Sequence, residues 1–108
     1  MAFDAFEIAL ALIRSLRKPL ETIARHDKKL AGQIREAAAS AALNLCEGRC
    51  RNGGDQTHLW RVAHGSAEET VAGVKVADAF GYVARDDVAE PLALADRLLA
   101  ICWRLTHR

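Results

Sequence analysis

At 108 residues the chain has the length of one domain, residues 1–108, able to bury a real but small core. Hydrophobic residues make up 51% of it and aromatics only 6%, a balance that disfavours a β-sandwich and points to closely packed helices. A net charge of +1, three cysteines and no apolar run of the ~20 residues a span requires argue against a strongly basic nucleic-acid binder, a disulfide scaffold and a membrane-spanning protein. The chain opens with Asp4 and Glu7 rather than a basic segment and an apolar run, so no signal peptide is expected and the expected compartment is the cytoplasm.

Phe3 to about Ser15 reads as a first helix, capped by Asp4, with Phe6, Leu10 and Ile13 at helical spacing. Pro19 interrupts the pattern, yet Leu16, Leu20 and Ile23 keep its period, so a helix kinked or restarted near Pro19 and ending near Arg25 is expected. Asp27 is placed to cap a second helix. Its apolar side is Leu30, Ile34, Ala37, Ala38, Ala41, Leu45 and Cys46, and Gly48 stands at the C-cap. Arg49 to Asp55 is a loop marked by Asn52, Gly53 and Gly54, after which Asp55 or Thr57 can cap a third helix running to about Phe80. Gly65 and Gly73 inside that helix each cost roughly 1 kcal/mol relative to alanine, which suggests close helix contact on their faces.

Gly81 ends the third helix, and a fourth begins near Asp86 or Asp87 with Pro91 at or just past its first turn. Val88, Leu92, Ala95, Leu99 and Cys102 alternate steps of four and three, the seam of an antiparallel bundle. The fold class is therefore all-α, an antiparallel four-helix bundle with its first helix kinked near Pro19. Leu59, Trp60, Val62, Val71, Val74 and Val76 make the third helix apolar on more than one face, and Leu94, Leu98, Ile101 and Trp103 lie off the main seam of the fourth. Surplus apolar surface of this kind marks an interface, so a homo-oligomer is expected.

Polar residues also fall on faces that should be buried. Ser40, Asn44 and Glu47 recur at helical spacing before Gly48, and Ser66 and Glu69 do so after Gly65. Buried polar groups are costly unless hydrogen-bonded, so this seam has a structural task in the fold. Asn44→Ala is accordingly expected to cost ~1–3 kcal/mol by orphaning a buried partner.

The charge is unevenly spread. From Arg14 to Arg35 seven bases (Arg14, Arg17, Lys18, Arg25, Lys28, Lys29, Arg35) face two acids, a local +5, whereas Val62 to Ala100 carries a local −4. The seven bases, with Arg49 and Arg51, are candidate phosphate contacts for RNA or DNA. His58 and Trp60 interleave with Arg49, Arg51 and Arg61, where an aromatic can stack a base or lie in a subunit interface. Cys46, Cys50, His58 and His64 lack the spacing of a compact zinc motif, so no metal is expected. Glu47 and Glu69 have no nucleophile–base pair or cofactor motif beside them, so no cofactor and no catalytic residue is assigned and the chain is expected not to be an enzyme. Glu47 is better placed to cap the Gly48 turn or pair with an arginine such as Arg61.

The segments Ile34–Arg51 (IREAAASAALNLCEGRCR) and His58–Glu69 (HLWRVAHGSAEE) carry a resemblance. The first resembles the second-helix signature of the bacterial proteins encoded in intervening sequences of 23S ribosomal RNA genes, with Ser, Asn and Glu-Gly at these offsets. The second resembles their third-helix pattern Ala-x-Gly-Ser-x-x-Glu. The family is similar to the accessory variability proteins of diversity-generating retroelements. The resemblance implies a four-helix protomer in a ring-like homopentamer, brings no catalytic residues, and through the retroelement relatives implies nucleic acid and a reverse transcriptase as partners. Those relatives are markedly basic and this chain is nearly neutral, although a ring multiplies a local basic patch.

Overall fold

The structure, a computed structural model, describes residues 3–107. Four α-helices follow one another: α1 (Asp4–His26), α2 (Lys28–Arg49), α3 (Gly53–Ala79) and α4 (Ala89–Thr106), with one 3₁₀ turn (Arg85–Val88) before the last. Each helix packs on two neighbours, α1 on α2 and α4, and α3 on α2 and α4. The bundle measures 42 × 22 × 20 Å.

Alanine explains the narrow cross-section. The core stripe of α1 is Ala5, Ala9, Leu12, Leu16, Leu20 and Ile23, and α2 adds Ala31, Ile34, Ala38, Ala41, Ala42 and Leu45. Small side chains let helix axes approach, and bulkier ones pack beside the contact line. Phe6, Leu10 and Ile13, expected at the centre of the α1 stripe, are only partly buried for this reason. On α4 the buried line is Val88, Pro91, Ala95, Leu98 and Cys102, so Leu98 rather than Leu99 occupies the seam.

Helix α1 runs through Pro19, which is buried, without a restart. The missing proline N–H leaves the Ser15 carbonyl without its helical donor. Asp4 is the first helical residue and Phe3 the N-cap. A single residue, Asp27, joins α1 to α2. Its backbone N–H donates to Ile23 O at 2.8 Å, and its side chain accepts from Leu30 N at 2.9 Å, so it closes one helix and opens the next.

Gly48 does not end α2. It lies buried inside the helix, and a β-carbon there would meet the Trp60 indole Cδ1 and Nε1 at 2.7 Å. The turn that follows is only Cys50 to Asn52, and Gly53 (φ +58°) opens α3. Neither Asp55 nor Thr57 caps α3: Asn52 holds that position, and the Thr57 hydroxyl donates back to Gly53 O at 3.2 Å. Gln56, a residue type that is no turn signal in itself, ties the turn by donating to Gly48 O (3.2 Å) and Arg51 O (3.0 Å). Gly73 approaches Ile34 closely, as its cost implied, but Gly65 faces open space.

The end of α3 is a full Schellman closure. Gly81 (φ +77°) donates to Asp78 O at 2.9 Å and Tyr82 to Ala77 O at 3.0 Å.

Cys46, expected on the apolar side of α2, is exposed, as is Cys50 one turn later, and Cys102 is fully buried. Burial raises the Cys102 thiol from 9.0 to about 11. Below the lower value both folded and unfolded chains hold the proton. Between the two the unfolded chain releases it first, so stability falls as pH rises from about 9 to about 11. The loss at the upper end is on the order of 2–3 kcal/mol. Cys102→Ala should flatten this alkaline fall in denaturant melts, and a thiol reagent should label Cys46 and Cys50 at once but Cys102 only on unfolding.

Candidate functional site

Two regions hold the candidate residues. The first is the polar junction of α2 and α3. Ser40 Oγ and Ser66 Oγ share a hydrogen bond of 2.8 Å across it. Asn44 Nδ2 donates to Ser40 O at 2.8 Å and to Ser40 Oγ at 3.2 Å, and Thr70 Oγ1 donates to Ser66 O at 2.9 Å. Ser40, Asn44 and Ser66 are half-buried, and Thr70 is buried. Among the described residues no buried side-chain nitrogen or oxygen lacks a partner.

The seam is narrower than the sequence pattern suggested. Glu47, Gly65 and Glu69 are exposed and lie outside it. Glu47 pairs with Arg51 at 3.2 Å rather than with Arg61, on a surface where such a pair contributes ~0.3–0.5 kcal/mol. Glu69 lines a shallow depression of about 300 Å³ with Leu30, Gln33, Ile34, Ala72, Gly73 and Val76, and Glu47 is not part of it. Asn44 donates to a helix carbonyl and a serine hydroxyl that both keep other partners. Its loss therefore orphans nothing deeply buried, and Asn44→Ala should cost about 1 kcal/mol in thermal unfolding, the low end of the range expected from sequence.

The second region is the basic face. Arg14, Arg17, Lys18, Arg25, Lys28, Lys29 and Arg35 are all exposed, and among the described residues none of the seven is in an ion pair. Arg14, Arg17 and Lys18 line an open groove along α1 with Ser15 and Glu21. Arg35 borders an apolar notch of about 70 Å³ between α1 and α2, formed by Ile13, Leu16, Leu20, Ala38 and Ala39. Arg25, Lys28 and Lys29 crowd the Asp27 corner.

Arg49 and Arg51 do not join this face. They stand at the far end of α2, about 30 Å from the corner at 1.5 Å per residue. Arg49 lies over the Phe3 ring at 5.3 Å, and Arg51 holds Glu47. Trp60 is 5% exposed, donates from Nε1 to Leu45 O at 3.2 Å and packs on Phe3 at 5.8 Å. It is a core residue here, unavailable to a nucleobase or a neighbouring subunit. Among the described residues no three His, Cys, Asp or Glu side chains are grouped to hold a metal, and no helix is long and apolar enough to cross a membrane.

A crystal structure of a protein of unknown function from the S23 ribosomal protein family of Bacteroides thetaiotaomicron VPI-5482 has the same fold, with a TM-score of 0.86 over 96% of this chain and 99% of that one. The two are 13% identical, so the likeness is one of architecture. No curated protein matches the chain in sequence. The family signature of 23S rRNA-intervening sequence proteins matches residues 3–103, which takes in α1 to α3, most of α4 and both segments quoted above. The chain belongs to the 23S rRNA-intervening sequence protein family.

Proposed function

We propose that this protein is a non-enzymatic, self-associating helical scaffold that acts in the cytoplasm with RNA or DNA, as an accessory to a ribonucleoprotein or reverse-transcriptase partner. One observation carries the reading: seven exposed bases on α1 and the first half of α2 with no ion-pair partner among the described residues. Unpaired bases along one face favour a polyanion, because each phosphate contact releases a counterion. Self-association, as a pentameric ring in the form the family resemblance implies, is supported by Leu43, 66% exposed, with Val62 and Val76 outward on the α2–α3 side. Repeating the basic face around a ring offsets the near-neutral charge of the single chain.

The experiment is light scattering of the purified protein with and without a mixed RNA and DNA pool at low salt, followed by a titration of Arg14→Ala/Arg17→Ala/Arg35→Ala. A multi-subunit particle that shifts with nucleic acid is expected. The triple variant should bind at least tenfold more weakly, with a salt slope shallower by about 2–3. An unchanged slope refutes the assignment of these bases. A particle indifferent to nucleic acid would leave the second reading, a scaffold that recruits a protein, which the exposed Leu43 and Val76 favour.

A further inference from the structure

The α3 closure brings three rings together at the corner where α1 turns into α2. Tyr82 stacks on His26 with centroids 5.2 Å apart and planes 4° from parallel, and on Phe80 at 5.1 Å and 11°. Each ring comes from a different place: His26 is the last residue of α1, Phe80 the C-cap of α3, and Tyr82 the residue after the left-handed Gly81. The backbone bonds of Gly81 and Tyr82 hold the last two in register. Phe80 is 65% exposed, so one face of the column is open to solvent.

Three bases flank the column on its α1–α2 side. Arg25 precedes His26, and Lys28 and Lys29 open α2, whose first turn contains no acid. Two lysines at a helix start are the sign the helix dipole disfavours, so local stability gives no reason for them. Of the carboxylates near it in the chain, Asp27 accepts from Leu30 N and Asp78 holds Arg85 at 3.4 Å, while Asp86 and Asp87 are exposed beyond the turn. An exposed aromatic face beside unpaired bases is complementary to a base beside its phosphates.

We propose that the His26–Tyr82–Phe80 column is a stacking platform for an unpaired nucleobase of single-stranded nucleic acid, with Arg25, Lys28 and Lys29 on the flanking phosphates. This rests on the nucleic-acid reading above and narrows it to strands with exposed bases, since a paired base has no free face to offer.

The test is fluorescence anisotropy at low salt with three dye-labelled probes: a single-stranded oligonucleotide, its duplex, and the same strand with abasic sites. Phe80→Ala is expected to weaken single-strand binding at least fivefold and leave duplex binding unchanged. Phe80→Trp should retain or tighten it, and Phe80→Leu, which keeps apolar bulk without a π face and covers the case in which alanine disturbs the helix end, should behave as Phe80→Ala. The abasic strand should bind the parent protein as weakly as the intact strand binds Phe80→Ala. Single-strand binding that is the same for phenylalanine, leucine and alanine, or an abasic strand that binds as well as the intact one, overturns the platform while leaving the basic face standing. No binding of any probe overturns both.

Discussion

Gly48→Val is expected to destabilise the protomer by about 3 kcal/mol. A β-carbon at Gly48 falls 2.7 Å from two indole atoms of Trp60 and 3.3 Å from Leu59 Cβ. The indole cannot withdraw, because it is bonded to Leu45 O and backed by Phe3. Overpacking of a filled site costs ~1–3 kcal/mol, and losing the indole hydrogen bond adds about 1. Gly32→Ala is the control. Nothing lies within 4 Å of its added carbon, and it should gain up to about 1 kcal/mol of helix propensity. Thermal melts of the two should therefore move in opposite directions. A Gly48→Val protein as stable as the parent would mean that α2 and α3 are not in contact at this point.

Leu98→Ala is expected to cost about 3 kcal/mol and Leu99→Ala clearly less. The two residues are adjacent on α4, but Leu98 is 0% exposed and Leu99 only partly buried. Removing three heavy atoms from a closed alanine-lined core leaves a cavity that small rigid neighbours cannot fill, whereas the same truncation at the rim admits water. Urea melts of both variants decide the register of α4. Equal losses would place both leucines on the seam.

That register marks where the chain's pattern was readable and where it was not. Four helices, their order and the Gly81 stop follow from periodicity and turn chemistry, and Asp27 acts as the cap its side chain predicts. The contact lines within helices are harder to read, because size favours Phe6 over Ala5, and steps of four and three counted from Leu92 land on Leu99 rather than Leu98. Closely packed helices do the reverse and put alanines at the line of nearest approach. Gly48 has the sequence look of a C-cap for the related reason that it stands just before a turn, and only the position of Trp60 reveals it as a packing site. For the candidate site, the exposure of the bases was legible, since lysine and arginine are almost never buried unpaired. The distance of Arg49 and Arg51 from the others follows from helix length once α2 is known to be unbroken. The ring column was not legible, because it depends on the hand of one turn and on a histidine two helices away.

The Asp27 corner has a mechanical consequence. One residue turns the chain through the whole reversal from α1 to α2, and both its backbone and its side chain are engaged there. A slip of one helix along the other by a turn, about 5.4 Å, has no slack to draw on. The two helices must meet in a single alignment, so the bases on α1 and those on α2 arrive at fixed separations. The face they make is a ruler, and its spacing is set by the tightest turn in the molecule.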